Sequence, residues 1–193
     1  MVLAVVAGVV GMILLVAGVP KLTDTDRVIR AVRGYQILPD AEARLVGRTL
    51  PWVELVLGAA LIVGVVPEIA GAAAAALFAV FTVGLVINLA RGRRDLDCGC
   101  FAFSHGAEEV PHIGWGHALR AGTFAALSVV SMWAPAAPAA DRFAGAAIGV
   151  LVVALVTVVL YARTVMTFGR RGVDTYLTNA AIASRAAARA SRY

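Results

Sequence analysis

Ile69-Ala-Gly-Ala-Ala-Ala-Ala-Ala-Leu-Phe-Ala-Val-Phe-Thr-Val-Gly-Leu-Val-Ile-Asn-Leu-Ala90 runs for 22 residues without a charge. A helix needs about 20 predominantly apolar residues, within a range of about 17–25, to cross the hydrocarbon core of a bilayer. This stretch meets that length, and its run of small residues from Gly71 to Ala76 lets another helix come close. Four more apolar segments flank it, at 2–19, 51–66, 115–133 and 143–168. Segment 51–66 is the shortest. It lies between Pro51 and Pro67 and contains Glu54, but Pro51 suits a first helical turn and Trp52 suits a membrane interface. The expected fold is therefore an all-α, polytopic membrane helical bundle over residues 1–168. It has five spans, or four if the second or fifth does not cross, followed by a basic Ala/Arg-rich tail at 169–193.

Composition points the same way. The 193 residues are 61% hydrophobic and 15% charged, with a mean hydropathy of +0.85. A soluble domain of this length needs more polar residues to cover its surface. The first segment has no basic stretch ahead of its apolar run and reads as a retained span rather than a signal peptide. The net charge of +5 fits basic residues that orient spans and touch anionic headgroups, rather than nucleic-acid binding.

Those basic residues are unevenly placed. Lys21, Arg27, Arg30, Arg33, Arg44 and Arg48 lie between the first two spans; Arg91, Arg93 and Arg94 open the connection after the third; five arginines fill the tail after Phe168. With five spans all three groups fall on one side. The positive-inside rule makes that side cytoplasmic, with the N-terminus outside, in the plasma (inner) membrane of a bacterium. Residues 26–36 carry Val28, Ile29, Val32 and Tyr35 at helical spacing with arginines between them, which predicts an amphipathic interfacial helix. Leu38-Pro39-Asp40 breaks it, and 41–50 is expected to form a second short helix.

The chain's two cysteines stand one residue apart, in Arg91-Gly-Arg-Arg-Asp-Leu-Asp-Cys-Gly-Cys-Phe101. As a redox pair, Cys98 and Cys100 close a small, strained ring, and strain raises the reduction potential. Gly99 eases the turn. Arg93 and Arg94 favour a thiolate, while Asp95 and Asp97 oppose it. A second reading adds His105, with His112 and His117 nearby, as ligands with the two thiolates for zinc or a softer metal ion. Glu54 is the ionisable group set within a span, where a charge is costly. It reads either as a cap on its own helix N-terminus or as a proton acceptor or partner of an arginine such as Arg94 or Arg120. Tyr35, Trp52, Trp115 and Trp133 read as interface anchors, with a quinone site among them as the alternative.

Several blocks in order resemble the MauE/DoxX family of redox-associated membrane proteins, particularly its actinobacterial MauE-like members. They are Gly18-Val-Pro-Lys-Leu22, Ala31-Val-Arg-Gly-Tyr35 with Leu38-Pro39, Leu50-Pro-Trp-Val-Glu-Leu55 with Gly58, Asn88-Leu-Ala-Arg-Gly92, and Asp97-Cys-Gly-Cys-Phe101. The resemblance covers roughly residues 11–130. It implies a small DoxX-related helical bundle associated with maturation of methylamine dehydrogenase, beside a thioredoxin-like partner. It also implies that Cys98 and Cys100 are the family dithiol. The sequence departs from the family where Phe101-Ala-Phe-Ser-His-Gly106 replaces the usual Phe-Gly after the cysteines, and in its fifth span and basic tail. The family arrangement, with the N-terminus inside, would turn the cysteines outward; the charge count turns them inward. The expected function is a membrane thiol–disulfide or electron relay. The alternatives are an accessory or assembly subunit of a larger membrane complex, or a metal-binding membrane protein.

Overall fold

The computed structural model describes residues 2–96, 113–133, 138–159 and 162. Among them the chain forms six helices: α1 (Val2–Thr23), α2 (Thr25–Gly34), α3 (Asp40–Val63), α4 (Pro67–Ala90), α5 (Trp115–Ser131) and α6 (Ala139–Val159). No strand occurs among the described residues. Helices α1, α3, α4 and α6 are long and apolar enough to cross a membrane. Helix α5 has 17 residues, about 25 Å at 1.5 Å per residue. Helix α1 packs against α3 and α5, α4 against α5, and α2 against α3. The chain divides into two units, Met1–Val153 and Ala154–Tyr193.

Small residues set the helix contacts. The buried face of α1 is Ala4, Ala7, Gly8, Val10, Gly11, Ile13, Leu14, Ala17 and Gly18. A Cβ added to Gly11 would stand 2.8 Å from the Gly58 carbonyl oxygen of α3, and one added to Gly58 would stand 2.7 Å from that of Gly11. Backbone meets backbone there, as lipid-embedded helices require when dispersion forces hold them together. Farther along α1, Gly145 and Gly149 of α6 seat against Ala4 and Gly8, so that glycine pair serves packing within the chain. Exchanging Gly58 for valine should destabilise the bundle by about 1–3 kcal/mol or more, because the clashing atom is backbone. Gly116→Ala, where an added Cβ meets nothing within 4 Å, should be neutral or stabilising by about 0.5–1 kcal/mol. Melting of the two variants in detergent, followed by size-exclusion, measures both.

The amphipathic helix forms as the sequence predicts. The Asp24 carboxylate caps α2 by accepting from the Arg27 N–H at 3.0 Å, and Val28 and Ile29 turn inward. Ile29 presses on Gly47, whose added Cβ would fall 2.7 Å from the Ile29 side chain. Residues 25–50 are thus a folded layer on one end of the bundle.

The expected break at Pro51 is absent. Helix α3 starts at Asp40 and runs through Pro51 to Val63, so residues 41–50 and the predicted second span are one helix. Proline costs a helix the hydrogen bond its N–H would have made. Here Pro51 is fully buried against its neighbours, and burial of α3 between α1 and α2 outweighs that local preference. The helix ends at Gly64, which takes the left-handed conformation (φ 75°) that glycine adopts without steric cost. The Arg142 guanidinium then donates to the Gly64 carbonyl at 3.2 Å.

Candidate functional site

Lys21 lies in the last turn of α1, and its side chain is only 4% exposed. Its ammonium donates to Glu54 Oε1 at 2.5 Å, and the Glu54 side chain is 1% exposed. Two buried opposite charges hold only if each finds its partner, since the solvation lost is several kcal/mol per ion. The Lys21 ammonium also stands 5.8 Å from the centroid of the Phe81 ring, within reach of a cation–π attraction. The second carboxylate oxygen, Oε2, is buried with no hydrogen-bond partner.

Backbone shape makes room for the pair. A Cβ on Gly18 would come within 3.1 Å of Glu54 Cβ and 3.2 Å of the Pro51 carbonyl oxygen. Gly18-Val-Pro-Lys21 and Pro51-Trp-Val-Glu54 are therefore two halves of one joint. This corrects the sequence reading of Glu54. It lies 14 residues beyond the start of α3 at Asp40, too far to cap that helix N-terminus. The partner that holds it is Lys21, not Arg94 or Arg120. Lys21 is the residue that sequence reasoning missed as a site residue, having counted it as an orienting charge.

Beside this pair lies a narrow cleft of about 20 Å³ between α1, α3, α4 and α5. Its walls are mostly apolar: Ile13, Leu14 and Ala17 of α1, Phe78 and Phe81 of α4, and Ala121 and Phe124 of α5. Phe78 meets Phe124 at 5.5 Å between centroids, tilted by 50°, and Phe81 edge-on at 6.4 Å. Three polar side chains complete the wall, those of Glu54, His117 and Arg120. His117 Nδ1 accepts from the Gly114 N–H at 3.2 Å, so a neutral imidazole carries its proton on Nε2. The residues first considered for an aromatic site stay apart from this cleft. Trp52, Trp115 and Trp133 are 58–66% exposed, as interface anchors are.

A second polar knot sits at the same end of the bundle. Arg93 donates to the Gly34 carbonyl at 3.0 Å, to the Tyr35 carbonyl at 3.4 Å and to Asn88 Oδ1 at 3.3 Å. Carbonyls at a helix C-terminus lack intrahelical partners and carry partial negative charge, which a guanidinium satisfies. Asn88, fully buried, holds its orientation by donating to the Gly84 carbonyl at 3.0 Å. The Tyr35 ring lies over Gly84, where a Cβ would stand 3.3 Å away. Arg93 thus ties the start of the connection after α4 to the end of α2. One residue on, the Arg94 carbonyl accepts from the Ile113 N–H at 2.8 Å.

Cys98, Cys100, His105 and His112 lie outside the described residues. Among the described residues no group of three or more histidine, cysteine or acidic side chains is placed to hold a metal ion.

Residues 1–134 match the family model for Methylamine utilisation protein MauE. The chain is 35% identical over 129 residues to the methylamine utilization protein MauE of Methylophilus methylotrophus, covering 67% of this chain and 65% of that protein. It is 41% identical over 85 residues to the Paracoccus denitrificans protein of the same name, 44% of this chain and 46% of that one. A third, from Methylorubrum extorquens, is 30% identical over 154 residues, 78% of each. The chain thus spans just under two thirds of the first of these relatives and under half of the second. No solved structure matches.

Proposed function

The chain belongs to the MauE family of membrane proteins, and from that premise we propose that it is a membrane thiol–disulfide relay serving the maturation of a methylamine-utilisation redox enzyme. Cys98 and Cys100 are its redox pair and a thioredoxin-like protein is its partner. The observation that supports this reading is the anchoring of the connection that carries the cysteines. Its outgoing strand of chain is tied to α2 through Arg93, and its two feet are joined by the Ile113–Arg94 hydrogen bond. The two ends of that connection are thus held together beside α2.

The exchange balances between the two proteins. A thiolate of the partner attacks one sulfur of the Cys98–Cys100 disulfide, and the other sulfur leaves as a thiolate. The partner's second thiolate then resolves the mixed disulfide, so the partner is oxidised by two electrons and this pair reduced. A strained ring favours that direction. Such chemistry belongs on the oxidising side of the membrane, the reverse of what the count of basic residues predicts. Lys21 and Arg93 are engaged inside the fold, and α2 is packed as a layer, which weakens that count.

Capture of the intermediate tests the proposal. With Cys98→Ser or Cys100→Ser, one of the two variants should accumulate a reducible mixed disulfide with a dithiol protein, and both should lose the maturation activity. Full activity in both variants would sink the relay and leave a thiol-independent accessory role.

A further inference from the structure

We infer that the narrow cleft beside Glu54 is the seat of one internal water molecule. The water donates to Glu54 Oε2 and accepts from donors of α5, so that α5 is bridged to the Lys21–Glu54 joint of α1 and α3. The inference is independent of the thiol relay, because no residue of the cysteine connection takes part in it.

Three observations carry it. The first is an unmet need: Glu54 Oε2 is buried, and among the described residues nothing donates to it, while Glu54 itself forms part of the cleft wall. Buried polar groups are rarely left unpaired, and an ordered water serves where protein groups do not reach. The second is size. A space of about 20 Å³ exceeds the minimum for one water, about 10–15 Å³, and leaves no room for a larger molecule. The third is the chemistry of the wall. Internal spaces that stay dry are apolar, whereas a held water needs about 2–4 polar partners. Glu54 supplies an acceptor, and His117 and Arg120, three residues apart on α5, supply donors. His117 Nδ1 already accepts from the Gly114 N–H, so in the neutral ring Nε2–H is the group that gives. Charge separates water from an ion of similar size. Lys21, which holds Oε1, and Arg120 oppose a cation beside the carboxylate, and the carboxylate opposes an anion. A neutral molecule that donates on one side and accepts on the other meets neither objection.

The experiment is hydroxyl-radical footprinting by X-ray radiolysis of the full chain in lipid nanodiscs, read by mass spectrometry. Radiolysis of a held water oxidises the side chains around it, buried ones included. Phe78, 6% exposed and part of the cleft wall, is the reporter and should be oxidised in the wild type. Ala121→Val, which fills the cleft from α5, should lower that oxidation severalfold. Lys21→Met/Glu54→Leu, which removes the acceptor together with its counter-charge, should do the same. The two variants alter different helices, so that if one fails to fold, as seen by size-exclusion, the other still decides. A Phe78 left unmodified in the wild type would overturn the inference. So would oxidation undiminished in either variant that elutes as the wild type does.

Discussion

Lys21→Met with Glu54 left in place is expected to be among the most destabilising single substitutions in this bundle, costing about 3–5 kcal/mol. The size follows from what remains. Glu54 is 1% exposed and would lose the one partner that satisfies Oε1, leaving a buried carboxylate without a counter-charge. Such a group escapes by taking up a proton, which limits the loss without abolishing it, because Oε1 would still lack a donor. The double variant Lys21→Met/Glu54→Leu should recover most of the stability, since replacing a whole buried pair by apolar residues of similar volume is often neutral or better. Thermal melting of the wild type and the two variants, monitored by detergent size-exclusion, reads the order directly. A single variant as stable as wild type would mean that the joint is wetter than its geometry indicates. A double variant that is stable yet inactive in maturation would mean that the pair does more than hold α1 to α3.

How much of this was legible in the sequence depends on which physical signal each feature leaves. The membrane class and the helices from Val2, Pro67 and Trp115 were readable because apolar length is written directly in the chain. The amphipathic α2 was readable because one side of it meets the fold and the other does not. Inside the bilayer that contrast disappears: lipid-facing Val80, Val83 and Leu119, more than half exposed, are as apolar as buried Leu14 and Leu85. What separates the two faces is residue size, and the Ala/Gly face of α1 is the trace it leaves. Glu54 was noticed, but its depth depended on where α3 begins. Pro51, a local start signal, was overruled by packing that joins residues separated widely in sequence. The Lys21–Glu54 pair spans 33 positions, and no periodicity links two such residues. The pair could have been suspected only from the arrangement Gly18-x-x-Lys21 and Pro51-x-x-Glu54, a small or kinked residue three before a charge on each of two neighbouring helices. The phenylalanine-lined cleft left no sequence trace, because Phe78, Phe81 and Phe124 look like any other apolar residues of a span.

Cys98 and Cys100 should react with a membrane-impermeant maleimide on intact cells only after reduction. Counting basic residues places the cysteine-bearing end in the cytoplasm, but the rule concerns charges free to stay with the headgroups and water. Lys21 is sealed in the joint, Arg93 is spent on the C-terminal carbonyls of α2, and the layer formed by α2 and the start of α3 is folded onto the bundle rather than left as a loop. A dithiol that hands on a disulfide has to be held oxidised between turnovers, and the outer side of the membrane is where that persists. Intact cells should therefore give no label before reductant and two labels per chain after it, with Cys98→Ser/Cys100→Ser giving none. Labelling that appears without reductant but only after permeabilisation would place reduced thiols inside. It would uphold the charge count and turn the pair toward metal binding or a passive role, since a cytoplasmic pair kept reduced has no disulfide to pass on.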